Sequence, residues 1–194
     1  MSEEKKKTVV VAEDEPVTRM DICGMLSDLG FDVCGEASDG FDAVEMCRNK
    51  KPDIALLDVR MPVFDGLGAA EVICREDLAG CCILLTAFSD KEIIDKAVSA
   101  GVTGYLVKPV DINKLLPTIE VAYAQSQRLR QSRRLEEEAN EKLAEDRLIH
   151  KAQKIFAEKN NCSDAQAYEV MRKTAMDKRV TLYSIARAIL EQQE

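Results

Sequence analysis

The sequence predicts a doubly wound α/β fold with a five-stranded parallel sheet, followed by a long helix and a small all-α domain of three short helices. Over the first 110 residues, short continuous apolar runs alternate with amphipathic stretches. Strands buried on both faces of a parallel sheet have this pattern. From Asp111 the chain has almost no helix breaker up to Asn160, which predicts one long helix.

The elements of the sheet domain follow in order along the chain. Apolar runs predict strands at 8–12, 32–37, 54–57, 81–85 and 105–107. Apolar residues at helical spacing predict helices at 16–29, 41–49, 66–75 and 91–100. Gly30 and Gly101 are placed to end two of these helices.

The long helix is predicted over 112–157, with Asp111 as its cap and with only a bend at Pro117. Its middle is rich in Gln, Arg and Glu, and Leu129, Leu135 and Leu143 are its few bulky apolar residues. We therefore expect a solvated linker with a weak coiled-coil seam. The predicted divisions are 1–122, a linker at 123–146, and 147–194.

The last segment contains a capping box, because Ser163 is followed three residues later by Gln166. It predicts a helix from there to about 177, and a third helix at about 181–192. Tight helix crossings are expected at Ala152, Ala167 and Ala186. The other residues expected in this small core are Ile155, Tyr168, Met171, Met176, Ile185 and Ile189.

Composition limits the possible classes of protein. No apolar run approaches the roughly 18 residues of a membrane span, and the N-terminal apolar run is too short for a signal peptide. We therefore expect a cytoplasmic protein. None of the seven cysteines forms a Cys-x-x-Cys pair, so buried, reduced thiols are expected. Residues 1–127 hold 13 basic and 23 acidic residues, a net charge of −10, whereas residues 128–194 hold 14 and 12, a net charge of +2.

The chemistry is expected at the carboxyl ends of the strands, where open parallel sheets bind ligands. These ends carry Glu13, Asp14, Asp58, Thr86 and Lys108. Converging carboxylates repel one another, and Mg²⁺ relieves that repulsion. A carboxylate beside Mg²⁺ is able to act as a nucleophile toward phosphorus. Any one of these acids taken singly is better interpreted as a solvated loop residue, but their joint placement favours a phosphorylation site.

These residues carry a resemblance to a known family. The pairs Glu13-Asp14, Met61-Pro62, Asp65-Gly66, Thr86-Ala87 and Lys108-Pro109, arranged around Asp58, resemble the receiver domains of two-component response regulators, which have a flavodoxin-like fold.

The resemblance implies a phosphoprotein that takes its phosphoryl group from a sensor histidine kinase. It implies Asp58 as the phospho-acceptor, with Glu13, Asp14, Asp58 and the backbone carbonyl of Arg60 as Mg²⁺ ligands. Thr86 and Lys108 would bind the phosphoryl group and Tyr105 would act as an aromatic switch. A cis peptide bond is implied before Pro109.

The C-terminal part resembles the ANTAR domain, an RNA-binding module of transcription antitermination regulators. The resemblance is carried by Ala167-Tyr168, Arg172, Ala175-Met176, Leu182, Ile185-Ala186 and Ile189-Leu190. It is weaker upstream, where Lys154 stands in place of a glycine found in many members. The general likeness of the sequence to these regulators favours the type that controls ethanolamine utilization.

The resemblance implies a stem-loop in a nascent transcript as the ligand and prevention of transcription termination as the result. No aromatic platform is expected, so Arg and Lys should bind phosphates while polar side chains contact loop bases. His150 is expected to be an ordinary packed or solvent-facing imidazole. The expected RNA-binding residues are Arg147, Lys151, Gln153, Lys154, Arg172, Lys173, Lys178, Arg179 and Thr181.

Three other readings of the C-terminal part stay open. Its cations could form a solvated helix surface, or it could bind DNA, although no helix-turn-helix is recognisable. It could serve only protein interactions. An enzymatic role is not expected, because no nucleophile–base pair or phosphate loop follows residue 127. We also expect a homodimer on phosphorylation, paired through the long helix.

Overall fold

A computed structural model describes residues 6–87 and 91–191 of the chain. The chain divides into two compact units, Met1–Arg130 and Gln131–Glu194. The first unit contains a five-stranded sheet in the order β2-β1-β3-β4-β5 with every pair parallel. This strand order is typical of the flavodoxin-like fold and confirms that predicted fold. The strands are β1 (Thr8–Ala12), β2 (Asp32–Ala37), β3 (Ile54–Asp58), β4 (Cys81–Thr86) and β5 (Gly104–Val107).

Four helices lie between the strands, and their predicted bounds are confirmed to within one residue. A fifth helix, α5, is continuous through Pro117 as predicted, and it passes from the first unit into the second at Arg130. The helices are α1 (Pro16–Asp28), α2 (Gly40–Lys50), α3 (Gly66–Arg75), α4 (Lys91–Ser99) and α5 (Ile112–Lys159).

The sheet separates two apolar cores because successive side chains of a strand point to opposite faces. On β1, Val10 and Ala12 pack with α2, α3 and α4, whereas Val9 and Val11 pack with α1 and α5. All four are fully buried. Burial of both faces fixes the register of β1, and with it the position of the acidic residues that follow Ala12.

The seven cysteines are free, as predicted, but only Cys47, Cys81 and Cys82 are fully buried. Burial raises the pKa of Cys47 and of Cys81 to about 12. A thiol with so high a pKa is almost entirely protonated at neutral pH, so these two cysteines act as small apolar core residues.

The second unit contains the last part of α5 together with α6 (Asp164–Lys178) and α7 (Leu182–Glu191). The predicted capping box is confirmed, since Ser163 and Gln166 make both of its reciprocal hydrogen bonds. Ala152, Met171 and Ala186 form the buried centre of this unit. The predicted third helix ended at Gln192, which lies outside the described residues.

Two residues predicted for this core lie on the surface, and that prediction is wrong. Tyr168 is 39% exposed and Met176 is 70% exposed. The buried positions of α6 are Ala167, Met171 and Ala175, so each misplaced residue is one position too far along the helix, which is a rotation of about 100°. Ile155 is only half-buried and is not part of this cluster, to which Ile149, Phe156, Leu182 and Leu190 contribute instead.

Candidate functional site

Three carboxylates meet at the carboxyl edge of the sheet. Glu13 and Asp14 follow β1, Asp58 ends β3, and these two strands are hydrogen-bonded neighbours. One oxygen from each of the three carboxylates lies within 4.8 Å of the other two. Glu13 is 1% exposed and Asp58 is 5% exposed, while Asp14 faces solvent. The predicted acidic cluster is therefore assembled, with one carboxylate open to approach.

Lys108 supplies the positive charge of this site from the end of β5. Its Nζ lies 2.6 Å from Glu13 Oε2 and 3.1 Å from Asp58 Oδ2. Burial disfavours a charged lysine, but hydrogen bonds to Glu13 and Asp58 outweigh it and raise the Lys108 pKa. The ammonium group is therefore held in its charged form beside Asp58.

The donor set fits a hard divalent cation. Glu13 Oε2 is enclosed and, apart from its ion pair with Lys108, accepts no hydrogen bond from the part of the chain that the structure describes. Burial raises the pKa of Glu13, and the neighbouring charge of Asp58 adds to this effect. An enclosed carboxylate oxygen beside a second carboxylate is a group that a bound cation would stabilise in its charged form. Carboxylate and carbonyl oxygens in an open site suit Mg²⁺, which keeps several waters.

The acids line a cleft of about 370 Å³. Asp14 is the exposed carboxylate of this cleft, and Arg60, in the loop after β3, and Thr86, the last residue of β4, also line it. All the residues that sequence analysis assigned to phosphoryl and metal binding, Tyr105 apart, are brought together here. The lining residues are Glu13, Asp14, Glu15, Asp58, Val59, Arg60, Thr86, Ala87 and Lys108.

Tyr105 is not among the residues that line this cleft. Thr86 is 5% exposed, whereas Tyr105 is 47% exposed. A cavity of about 230 Å³ adjoins both residues and is lined largely by apolar side chains of β4, α4 and the segment between α4 and β5, among them Leu84, Ala97 and Val102. Tyr105 thus lines the same cavity as Thr86, whose hydroxyl group belongs to the candidate site. The peptide bond between Lys108 and Pro109 is cis, which confirms the expectation.

Two supporting features escaped sequence analysis. Arg19 Nη1 donates a hydrogen bond to the Glu13 carbonyl, and the Glu15 backbone amide donates to Glu13 Oε1 at 3.4 Å. Gly66 packs its backbone against Asp58, because a Cβ at this position would lie 1.9 Å from the Asp58 carbonyl oxygen. The Asp65-Gly66 pair was noted as a motif, but a pattern of residues does not reveal so close a backbone approach.

The predicted RNA-binding cations lie on the surface of the second unit. Arg147, Lys151 and Lys154 share one stripe of α5, and Arg172 and Lys173 project from α6. Among residues 6–87 and 91–191, no acid forms an ion pair with any of the cations predicted to bind RNA. In contrast, Arg187 Nε lies 2.7 Å from Glu191 Oε1.

The two polar residues expected to contact bases are engaged within the protein. Gln153 Nε2 donates a 2.8 Å hydrogen bond to the Asp164 carbonyl. Its Oε1 is enclosed, without a hydrogen bond from the described residues. Thr181 Oγ1 accepts a 3.1 Å hydrogen bond from the Ser184 amide at the start of α7. Gln153 and Thr181 therefore both have a structural role within this unit. Their contact with RNA bases remains a prediction.

Comparison with known proteins agrees with both units. The first part of the chain, residues 9–120, matches the family model of the response regulator receiver domain. Residues 137–190 match the family model of the ANTAR domain. The class is therefore that of response regulators. Within that class, the chain belongs to those that join an N-terminal receiver domain to a C-terminal ANTAR domain.

Individual relatives show the same division. The transcriptional regulatory protein PdtaR of Mycobacterium tuberculosis is 37% identical over 188 residues, which is 95% of this chain and 90% of the relative. The chemotaxis protein CheY of Thermotoga maritima is 29% identical over 113 residues, 58% of this chain and 94% of its own length.

Solved structures match the receiver part. The signal receiver domain of NarL from M. tuberculosis superposes with a TM-score of 0.56 at 31% identity, covering 63% of this chain and 97% of that one. A CheX–CheY–BeF₃–Mg²⁺ complex from Borrelia burgdorferi gives 0.55 at 27%, covering 58% and 86%. Within the described residues, no helix is both long and apolar enough to span a membrane.

Proposed function

We propose that phosphorylation of Asp58 by a sensor histidine kinase controls binding of the C-terminal domain to RNA stem-loops in nascent transcripts, and so prevents transcription termination. The observation that carries this proposal is the assembled cluster of Glu13, Asp14 and Asp58 with Lys108, in a chain that also has an ANTAR domain. The ethanolamine-utilization pathway stays a prediction from general likeness.

In the phosphorylation step, an Asp58 carboxylate oxygen attacks phosphorus and the bond from phosphorus to the donor's histidine nitrogen breaks. Lys108 already lies 3.1 Å from Asp58 Oδ2, so its ammonium group is placed to bind the new phosphoryl oxygens. Thr86 offers a hydroxyl from the neighbouring strand.

Mg²⁺ would be held by Glu13, Asp14, Asp58 and the Arg60 carbonyl, where its charge would offset that of the phosphoryl oxygens. The presence of Mg²⁺ with BeF₃ in the Borrelia complex supports this assignment. For the response to reach the surface, we propose that Thr86 moves toward the phosphoryl group and Tyr105 turns into the adjoining cavity.

The phosphorylation proposal is tested by labelling the full-length chain with a small phosphodonor such as acetyl phosphate. Wild type should be labelled in Mg²⁺ and not in EDTA, and Asp58→Ala should not be labelled at all. Asp28→Ala, which removes an exposed carboxylate at the end of α1, serves as the matched control and should behave as wild type. Equal labelling of the Asp58 and Asp28 variants contradicts the assignment.

The RNA proposal rests on cations that have no acidic partner among the described residues, in a domain of the RNA-binding ANTAR class. A mobility-shift titration compares a stem-loop RNA with a duplex DNA of the corresponding sequence. Stronger binding to RNA is expected. Preference for the DNA would favour a DNA-binding regulator instead, and affinity for neither would favour an output through protein contacts.

We propose, in addition, that phosphorylation produces a homodimer. Leu129, Leu135 and Leu143 of α5 are each at least half exposed, and Leu129 and Leu143 lie near one face of the helix as a sparse apolar seam. Because this seam is weak, the unphosphorylated chains should not dimerise strongly, which suits an association that phosphorylation controls. Two RNA-binding domains joined in a dimer would bind paired hairpins with greater avidity. Light scattering with and without beryllofluoride should show a doubled mass only in its presence. A monomer that binds RNA in both states contradicts this.

A further inference from the structure

We infer that Tyr168, Arg172 and Met176 form a platform on which an unpaired base of an RNA loop stacks, an inference that rests on the proposed RNA-binding function. These three residues, here called the α6 platform, follow one another at intervals of four. Side chains at this interval are neighbours along one stripe of a helix. The stripe is separate from the buried face, which Ala167, Met171 and Ala175 form.

The platform faces solvent. Tyr168 is 39% exposed, Met176 is 70% exposed, and Arg172 between them is exposed as well. Within the part of the chain that the structure describes, neither the Tyr168 hydroxyl nor the Arg172 guanidinium makes a hydrogen bond or ion pair. Arg187, on the neighbouring helix α7, is paired with Glu191. Part of the Tyr168 side chain and the Arg172 guanidinium are thus accessible to a ligand.

The three groups share one kind of ligand chemistry. Tyrosine rings and arginine guanidinium planes are the surfaces on which splayed RNA bases stack. A methionine thioether is polarisable and adapts to an aromatic face. An aromatic ring, a planar cation and a thioether in one row therefore present a surface suited to the flat face of a base.

The surrounding charge favours RNA over a second copy of this chain as the occupant. Residues 147–191 hold nine basic and five acidic residues, a net charge of +4. Asp164, Glu169 and Asp177 also lie exposed on α6, but they are outnumbered by four exposed cations on α6 and at its end, Arg172, Lys173, Lys178 and Arg179. Two such positively charged surfaces repel each other, whereas a phosphate backbone is attracted to either.

Stacking on Tyr168 differs from the mode of recognition that the sequence predicted, in which Tyr168 belonged to the core and no aromatic platform was expected. Exposure of Tyr168 and Met176 gives the domain a means to hold a base by its face, which is independent of sequence-specific hydrogen bonds. The cations would then position the phosphates around that base.

The test uses the full-length chain with beryllofluoride and Mg²⁺, and a fluorescent RNA hairpin selected from a pool of random loops. Tyr168→Leu should weaken binding by about fivefold or more, the loss of one stacked base, with an unchanged salt slope because no charge is removed. Tyr168→Phe keeps the ring and should match wild type. Val170→Ala removes an exposed apolar side chain from another side of α6 and should have no effect.

A second readout follows stacking directly. An adenine of the loop is replaced by fluorescent 2-aminopurine, whose emission is quenched when it stacks. Binding by wild type and Tyr168→Phe should quench it, and binding by Tyr168→Leu at saturating protein should not. Circular dichroism verifies that the variants are folded, and Met176→Gln, with an expected smaller loss of affinity, tests the platform where Tyr168→Leu is misfolded.

The outcomes separate the two proposals. If wild type binds no hairpin, the proposed RNA function fails and the platform fails with it. If wild type binds and both Tyr168→Leu and Met176→Gln retain its affinity and quenching, only the platform is overturned. If these variants change the mass of the protein in solution but not its RNA affinity, the stripe is an interface between copies, and the platform is likewise overturned.

Discussion

At the scale of single residues, Val63 occupies a backbone conformation that its side chain disfavours. Its φ is +66° and its side chain is 87% exposed. A β-branched residue is rarely found in this left-handed region, which costs an L-residue about 1–2 kcal/mol. Glycine would relieve this strain, while losing little buried surface.

We expect Val63→Gly to raise the free energy of unfolding by up to about 1 kcal/mol, because the greater freedom of glycine in the unfolded chain offsets part of the gain. Urea denaturation should show a higher midpoint with the same slope. Val63→Ala retains a Cβ and should gain less. A glycine variant no more stable than the alanine variant would contradict the assigned strain.

Gly66 and Gly24 make a matched pair for the same substitution. A Cβ on Gly66 would clash with the Asp58 carbonyl at 1.9 Å, whereas a Cβ on Gly24 in α1 meets nothing within 4 Å. Gly24→Ala should stabilise the protein by roughly 0.5–1 kcal/mol, the usual gain inside a helix.

Gly66→Ala should destabilise the receiver domain by about 1–3 kcal/mol, as overpacking does, and should reduce labelling of Asp58 because the backbone of the acceptor must shift. Thermal denaturation and acetyl phosphate labelling measure the two effects. The same sign of stability change for both glycines would show that the close approach to Asp58 is unimportant.

Among the secondary-structure elements, helix α5 is held by hydrogen bonds and an ion pair to the loop between α3 and β4. Ser126 is 8% exposed and its Oγ donates a 2.7 Å hydrogen bond to the Gly80 carbonyl. One turn later, the Arg130 guanidinium contacts the Ala79 carbonyl and lies 2.5 Å from Asp77 Oδ1. These contacts hold α5 up to the last residue of the first unit.

Ser126→Ala removes one of these hydrogen bonds and leaves a carbonyl without its donor, which costs about 1 kcal/mol. We expect faster amide hydrogen exchange around residues 126–130 in the variant. Ser132→Ala, at a fully solvent-facing position of the same helix, is the control and should leave exchange there unchanged. If both variants exchange alike, the contact does not hold the helix.

The elements also show what sequence could predict. Strand ends were predictable because apolar runs stop where the sheet stops, and this placed Asp58, Thr86 and Lys108 at one edge. Which face of α6 is buried was not predictable. Size favoured Tyr168 and Met176 for burial, but the unit buries Ala167 and Ala175, one residue earlier. The choice between these two stripes depends on the neighbouring helices, which a single helix does not encode.

At the scale of the whole molecule, charge is divided between the two functions. Residues 1–127 carry −10 and residues 128–194 carry +2, so the receiver part repels a polyanion while the C-terminal part contains the cations proposed to bind it. Affinity for RNA should therefore fall with added salt, and only the cations of residues 128–194 should contribute to that fall.

Each phosphate contact that is lost should lower the slope of log affinity against log salt by about 0.7–0.9. We expect this for Lys173→Ala and for Lys151→Ala, whose side chains have no acidic partner within the described residues. Arg187→Ala removes the same charge, but Arg187 is paired with Glu191 at 2.7 Å, so its slope should change less. The measurement is a hairpin titration at several salt concentrations. Equal slopes for wild type and all three variants would mean that these cations do not contact phosphate.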